Sequence, residues 1–319
     1  MKLQFDIKAC LAPLAEITDI PFRSLVREFS SCLMFTEMIS AAGAFQNNQK
    51  TVGMMKLAPY EHPIGVQLFG HNPEQLAAAA KMAADSGADM IDINMGCPVK
   101  KIISDGNGSA LMKDEALAGR IVEAVAKAVS LPVSAKFRKG FSADSINAVS
   151  FAKTLESAGA SLVTVHGRTR AEFYSGRADW DIIAKVKEAV KIPVIANGDI
   201  TSPETALKCL KQTKADGVMI GRASLGHPWV MGQIAAAVHN EPIPATPTIA
   251  EQKQIVIKHL NAMLDFYGEP SGLFQFRKHL CWYVTGKKGA SKFREAINHI
   301  QDKNIVLESI AKFYDEQES

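Results

Sequence analysis

Eight short apolar runs rich in β-formers recur along the chain, each followed by a stretch of helical periodicity, and this alternation limits the fold more than any other feature. The runs are 10–13, 33–36, 64–68, 90–94, 133–137, 162–166, 193–197 and 217–221. Between the third and fourth, Leu76, Ala79, Ala80, Met82 and Ala83 repeat at helical spacing, and Gly87 stands where a helix C′ glycine belongs. Stretches 114–129 and 148–158 repeat the pattern, the second ending in Ala158-Gly159. Strands that are apolar nearly throughout suit a parallel sheet covered by helices. Eight such units in about 240 residues predict a (β/α)8 TIM barrel, an α/β fold typically of about 250 residues. A doubly wound open sheet is the competing arrangement.

After Pro242 the pattern changes. The segment 242–248, PIPATPT, is a proline-punctuated linker, and the remainder has helical periodicity without strand-like runs. We expect a barrel over 1–241 and an all-helical domain over 242–319. Its candidate buried faces are Ile255, Ile257, Leu260, Met263 and Leu264, then Ile297, Ile300, Ile305, Leu307 and Ile310. The whole chain, at 47% hydrophobic and 22% charged residues, has a globular composition, neither disordered nor a disulfide scaffold. Five scattered cysteines without a CxxC pair point to a reducing compartment. Asp6 and Lys8 interrupt any signal-like start, and no segment approaches the roughly 18 apolar residues of a membrane span. A cytoplasmic protein is expected.

In a parallel barrel the chemistry sits where strands end, and unusual polar residues cluster there. The third run ends at Gln67 and the fourth at Asn94, followed by Met95-Gly96-Cys97-Pro98. The fifth carries Lys136 and leads to Arg138; the sixth ends at His166-Gly167-Arg168. The seventh ends Asn197-Gly198-Asp199 and the eighth Gly221-Arg222, where such barrels bind phosphate on glycine-lined loops. Asn197-Gly198 alone also reads as a simple turn. Cys97 stands apart from the other cysteines, because it opens the longest gap between runs, and long loops at this face are usually functional. A lysine on a barrel strand is costly to bury unpaired, which favours a functional Lys136. His166 alone is equally readable as a satisfied core histidine. No HxxxH or HExxH pair suggests a metal site, and Gly106-Asn107-Gly108-Ser109 reads as a loop leading into a helix.

From Ser271 to Ile297 the only acidic residue is Glu295, against Arg277, Lys278, Lys287, Lys288, Lys292 and Arg294. In a chain of net charge +3 this local excess is larger than the whole imbalance. Phe274, Phe276, Trp282, Tyr283 and Phe293 are interleaved with it, either to stack on splayed bases or to brace the helices that carry the charge. A solvated helical face is the plain alternative.

At these residues the sequence resembles the tRNA-dihydrouridine synthases, nearest their bacterial B-type branch. The match is an ordered series: Ala12-Pro13-Leu14-Ala15, Thr18-Asp19, Pro21-Phe22-Arg23, Thr36-Glu37-Met38, Gln67 and Asp92-Ile93-Asn94-Met95-Gly96-Cys97-Pro98. It continues through Gly108-Ser109-Ala110-Leu111, Lys136-Phe137-Arg138, His166-Gly167-Arg168-Thr169-Arg170, Ala196-Asn197-Gly198-Asp199-Ile200, Ile220-Gly221-Arg222-Ala223, Pro228-Trp229, Arg277-Lys278-His279 and Trp282-Tyr283.

The resemblance implies an FMN-binding barrel with a helical tRNA-binding domain. It places Pro13, Leu14, Ala15 and Gln67 against the flavin ring and Lys136 near its pyrimidine edge, where the charge stabilises the reduced form. Asn197, Gly198, Asp199, Gly221 and Arg222 would hold ribityl and phosphate, with His166 beside the cofactor. Asn94, Arg138 and His166 would face the target uracil, and Arg277, Lys278, Lys287 and Lys288 the tRNA. Hydride would pass from reduced FMN to C6 of a D-loop uridine while Cys97, as general acid, protonates C5. A thiol of ordinary pKa about 8.5 is protonated at neutral pH and needs no tuning for this. NADPH or NADH would reload the flavin, and no obligatory protein partner is implied. Leu14 replaces a usual methionine, Glu16 a common glycine, and Ser104-Asp105-Gly106-Asn107 departs from the B-type pattern. The competing functions are a small-molecule FMN oxidoreductase, an RNA-binding module on an inactive barrel, and a Schiff-base lyase built on Lys136.

Overall fold

The structure, a computed structural model, describes residues 3–318. Its strands are β1 (Ala9–Leu11), β2 (Leu33–Phe35), β3 (Ile39–Ser40), β4 (Ile64–Phe69), β5 (Met90–Met95), β6 (Val133–Arg138), β7 (Leu162–His166), β8 (Val194–Asn197) and β9 (Gly217–Ile220). All pair in parallel in the order β2-β1-β9-β8-β7-β6-β5-β4-β3, and β2 also pairs with β4, which closes the ring. The fold is a (β/α)8 barrel followed by C-terminal helices. Each of the eight apolar runs supplies one barrel strand.

β3 has no run of its own in the sequence. It extends the β2 edge of β4, with Met34 opposite Ile64 in β2 and Ile39 opposite Leu68 in β3. The two are one strand broken at 36–38. Thr36 bridges the break: its N–H donates to Gly65 O at 3.0 Å and its Oγ1 accepts from Gln67 N–H at 3.1 Å. The interruption turns Met38 into the cavity above the ring.

Alternation along the strands divides the apolar side chains into two sets. Val66, Leu68, Ile91, Ile93, Val163 and Val165 pack outward against the helices, for example those spanning Pro73–Asp85, Glu115–Ala128 and Ala148–Ser157. Cys10, Ala12, Leu33, Phe35, Met90, Leu162, Ile195 and Met219 form a separate cluster inside the ring, against which Phe5 and Ile7 pack. The helix Pro73–Asp85 starts on an Asn72 side chain that accepts from the N–H groups of Glu74 and Gln75, and ends at Gly87 with φ 93°.

The helix Val230–Val238 is followed by a stretch without regular structure and then four helices, Ile249–Tyr267, Glu269–Tyr283, Ala290–Ile297 and Lys303–Glu318. Their core includes Val256, Leu260, Met263, Phe276, Tyr283, Ile310 and Tyr314. Two sequence expectations are corrected here. The first helix buries Val256, His259, Leu260 and Met263, so Ile255 and Ile257 flank the face instead of centring it. The last buries Val306, Ile310, Phe313 and Tyr314, and Ile305, one residue or about 100° away around the helix, is 49% exposed.

The helical part is seated on the barrel through the short helix Ile20–Arg27. Leu25 belongs to the helical cluster, and the Phe22 ring lies 5.7 Å from that of His259 and 5.6 Å from that of His279. Tyr267 Oη donates to Asp19 Oδ2 at 2.9 Å, while Asp19 Oδ1 caps the helix by accepting from Phe22 N–H at 3.0 Å. Burial pushes the Asp19 carboxyl up to about 6 against these two hydrogen bonds. Among the described residues no helix is long and apolar enough to cross a membrane.

Candidate active site

Side chains that point into the ring change from apolar to polar along β5, β7 and β8, and are polar throughout in β6. β5 reads Met90, Asp92, Asn94; β6 reads Ser134, Lys136, Arg138; β7 reads Leu162, Thr164, His166; β8 reads Ile195, Asn197. The polar ends open into a cavity of about 640 Å³, within the usual range for a small-molecule site. Pro13, Leu14, Ala15, Gln67, Asn94, Cys97, Lys136, Arg138, His166, Asn197, Gly198, Asp199, Gly221 and Arg222 all line it. Fourteen residues drawn from seven strand ends thus meet at one place.

Cys97 is held from both sides. The amide oxygen of Asn94 accepts from the N–H groups of Gly96 at 3.2 Å and Cys97 at 2.9 Å. The Cys97 carbonyl accepts from Ser109 N–H at 3.1 Å and from Ser109 Oγ at 2.8 Å. Gly108, with φ 59°, lies so close that an added Cβ would sit 3.0 Å from Cys97 Cβ, so only glycine fits the approach. Burial pushes the Cys97 thiol up, against the Val99 N–H and the cations of Arg138 and Lys136. The group is a neutral thiol at ordinary pH.

Lys136 Nζ donates to Asn197 Oδ1 at 3.0 Å, and Asn197 Nδ2 donates to Met219 O at 2.8 Å, which fixes the amide's orientation. Burial, reinforced by the Arg138 cation, brings the Lys136 ammonium down to about 8, with Asp92 and Cys97 acting the other way. Burial and the surrounding cations of Lys136, Arg138, Arg168 and Arg222 hold the His166 imidazole well below its usual range, hence neutral. Arg138 uses Nε on Gly96 O at 2.8 Å and Nη1 on the carbonyls of Thr169 and Phe173, both at 2.9 Å. It therefore ties the Cys97 loop to the loop after β7.

The opposite wall carries the sharp turns. Gly198 has φ 116°, and an added Cβ would meet Ala178 at 2.7 Å and His166 at 2.9 Å. Asp199, with φ 57°, lies between Arg168 Nη2 at 2.9 Å and Arg222 Nη2 at 3.6 Å. Burial acts to raise its pKa, but the Arg168 hydrogen bond and the Ala178 N–H outweigh it and the carboxylate stays ionised. At Gly221 the constraint differs: an added Cβ would make only ordinary contact with Ala12 at 3.6 Å and Leu14 at 3.9 Å. What glycine preserves there is open space in the cavity.

Several contributors were not singled out in the sequence. Phe173 and Tyr174 stand at the rim, 41% and 48% exposed, with the Arg222 guanidinium 4.6 Å from the Tyr174 ring centre. The fully buried Arg168 pins their loop by donating to the carbonyls of Ser175 at 2.9 Å and Gly176 at 2.7 Å. A bulky aromatic pair after a strand end was the available signal. Glu16 explains its own oddity: it adopts φ 61°, the left-handed region that favours glycine, and its N–H donates to Glu37 Oε1 at 2.5 Å. Glu16→Gly is expected to stabilise the fold by about 0.5–1 kcal/mol, the relieved backbone strain exceeding the added chain entropy, as read by urea denaturation.

Arg277, Lys278, Lys287 and Lys288 lie apart from the cavity, on the helical part. Arg277 Nη2 donates to Ile300 O at 3.0 Å, and Lys287 Nζ to Gln252 Oε1 at 2.8 Å, whereas Lys288 and Lys292 are exposed. Phe276 and Tyr283 are buried and Phe293 packs on the same core; these aromatics brace the helices, and Phe274 alone stands out, at 67% exposure.

A family model described as dihydrouridine synthase (Dus) matches residues 10–318. A Rickettsia typhi protein named "Probable tRNA-dihydrouridine synthase" is 45% identical over 315 residues, covering 98% of this chain and 96% of that protein. The tRNA-dihydrouridine synthase B of Pseudomonas aeruginosa is 42% identical over 310 residues, covering 97% and 93%. Among solved structures, histamine dehydrogenase from Rhizobium sp. 4-9 superposes with a TM-score of 0.57 at 13% identity over 80% of this chain, a likeness of fold only. The chain spans about half of that structure's length, 49%. With a barrel whose polar strand ends converge on one cavity and relatives matched almost end to end, the chain belongs to the dihydrouridine synthase (Dus) family, an oxidoreductase family.

Proposed function

We propose that this chain reduces the C5=C6 bond of specific D-loop uridines in tRNA, with FMN as its cofactor, NADPH as donor and Cys97 as the proton source. The carrying observation is the placement of a clamped neutral thiol, a lysine and three side-chain amides around one cavity with glycine turns opposite. The donor set fits FMN. Gln67 offers an amide edge and Lys136 a cation to a heterocyclic ring, while Gly198, Gly221 and Arg222 offer backbone and a guanidinium to a phosphate. The space that Gly221 leaves beside Ala12 and Leu14 suits a bound group.

When bound, FMN would supply the hydride for C6 of the uracil. The chain's residues do the rest. Pro13, Leu14 and Ala15, on the cavity wall, would hold the ring. Asn94, Arg138 and His166 orient the base, the neutral imidazole avoiding charge repulsion among its cationic neighbours. Cys97 releases its thiol proton to C5 and recovers one from solvent. Phe173 and Tyr174 at the rim offer aromatic faces to a nucleotide drawn out of its stack. The barrel, 1–241, is the catalytic domain and 242–319 grips the tRNA backbone in the cytoplasm, without an obligatory protein partner.

Reversing two charges tests the grip. Lys287→Glu with Lys288→Glu is expected to weaken tRNA binding about tenfold or more at low salt and to make its salt dependence shallower, leaving flavin content unchanged. Unaltered affinity would make this a solvated face. The function itself is tested by nucleoside mass spectrometry of unmodified tRNA incubated with protein, FMN and NADPH. A gain of two hydrogens on uridine is expected; a yellow, NADPH-oxidising protein that leaves tRNA unchanged would instead favour a small-molecule reductase.

A further inference from the structure

Asp92 is not part of the cavity wall. It sits one inward-facing position below Asn94 on β5, 1% exposed, yet it begins a chain of hydrogen bonds that ends at the Cys97 loop. Its Oδ1 accepts from Ser134 Oγ at 2.6 Å and its Oδ2 from Gln67 Nε2 at 2.6 Å. The Gln67 amide oxygen then accepts from Asn94 Nδ2 at 2.8 Å. Asn94 passes the same polarity on, its oxygen accepting from the N–H groups of Gly96 and Cys97.

A side-chain amide is nearly symmetrical in shape but not in hydrogen bonding, whereas an ionised carboxylate only accepts. An acceptor at one end of this chain and two backbone donors at the other leave one orientation for both amides. Turn Gln67 over and its oxygen faces the Asp92 oxygen while its NH₂ faces that of Asn94. Asn94 must then turn too, and its NH₂ meets the two backbone N–H groups that it now holds.

We propose that Asp92 is a positioning residue for the reduction: its carboxylate sets which end of Gln67 meets the cofactor and, through Asn94, the pose of the Cys97 loop. This rests on the reading of Gln67 as a ring contact and Cys97 as proton donor. The information travels as donor-acceptor polarity, so the acceptor matters and the charge does not.

Two substitutions separate these terms in the flavin-loaded full chain. Asp92→Asn keeps an acceptor for Gln67 and turns a donor toward Ser134; turnover, the visible flavin spectrum and the rate of Cys97 alkylation by iodoacetamide are expected to stay close to wild type. Asp92→Leu removes the acceptor; turnover is expected to fall about 10²-fold with KM for tRNA unchanged, the flavin bands to shift and Cys97 alkylation to change several-fold. Wild-type behaviour of Asp92→Leu, or equal impairment of Asp92→Asn, would overturn the proposal.

If Asp92→Leu does not fold, a paired exchange decides. Gln67→Glu alone sets two carboxylates together and should disturb Cys97 alkylation; adding Asp92→Asn restores a donor-acceptor match and should restore the rate, and failure to do so overturns the relay. A wild-type enzyme that forms no dihydrouridine would instead defeat the functional reading, since the alkylation contrast is read without turnover.

Discussion

Cys97→Ala is expected to lower dihydrouridine formation by about 10²–10⁴-fold while leaving flavin content and NADPH oxidation unchanged, the range a lost general acid spans. The reason is the scarcity of proton donors around the cavity. His166 is neutral and held well below its usual range, so its imidazole is a poor acid at pH 7. Lys136 and Arg138 are cations, but Lys136 Nζ is bonded to Asn197 Oδ1 and Arg138 to three carbonyls. The Cys97 thiol, raised by burial, remains protonated and stands in a loop fixed on both sides. Single-turnover mixing of reduced enzyme with unmodified tRNA separates the steps. Full product yield at the wild-type rate would remove Cys97 from the role of acid.

Lys136→Met carries the second large effect. Turnover is expected to fall about 10²-fold, because a fixed cation in a water-poor site offsets negative charge on a reduced cofactor far better than solvent does. The pH profile gives the sign. In the cofactor-free chain burial brings the ammonium down to about 8, and an anionic reduced cofactor acts the other way, so wild-type turnover should decline with rising pH at or above that value while the variant's profile stays flat there. Stability moves in the opposite sense. Between about 8 and the ordinary 10.5 the unfolded chain binds a proton that the folded, cofactor-free chain does not, so its stability increases with pH across that window. Below it, the buried ammonium costs the cofactor-free fold up to about 3 kcal/mol, and methionine removes that cost. The melting temperature of the cofactor-free variant should therefore hold or rise while activity collapses. A variant of unchanged turnover would exclude the charge from the chemistry.

The barrel was legible because its signal is carried by alternation over long distances, and each apolar run became a strand. The broken strand was not. β3 is two residues long, and its break depends on a Thr36 hydroxyl reaching a neighbouring strand, which leaves no periodic mark. The cavity residues were readable as polar groups at strand ends, and the resemblance sharpened their roles. Ser109 and Arg168 escaped as positioning groups because their partners are backbone carbonyls, of Cys97 and of Ser175 and Gly176, and carbonyls have no residue identity. The helical faces were displaced by a residue because isoleucines at 255, 257 and 305 looked more apolar than the His259 and Tyr314 that are in fact buried. Rings that hydrogen-bond one another, His259 Nδ1 to Tyr283 Oη at 3.0 Å, make an aromatic core that a hydrophobicity count under-reads.

The seam at Ile20–Arg27 bears on how such a molecule could be re-engineered. Leu25 packs in the core of the C-terminal helices, Phe22 joins the barrel core to the rings of His259 and His279, and Tyr267 closes over the Asp19 carboxyl a few positions from Leu14 at the cavity's edge. A barrel cut after Val238 would present a greasy scar beside its own active site, with the Asp19 carboxyl stripped of its Tyr267 hydrogen bond, and would aggregate or lose the shape of that edge. The helices are therefore no interchangeable handle. Retargeting must proceed by surface replacements that leave the seam intact, because a transplanted helical module would bring its substrate to a mouth it had itself deformed.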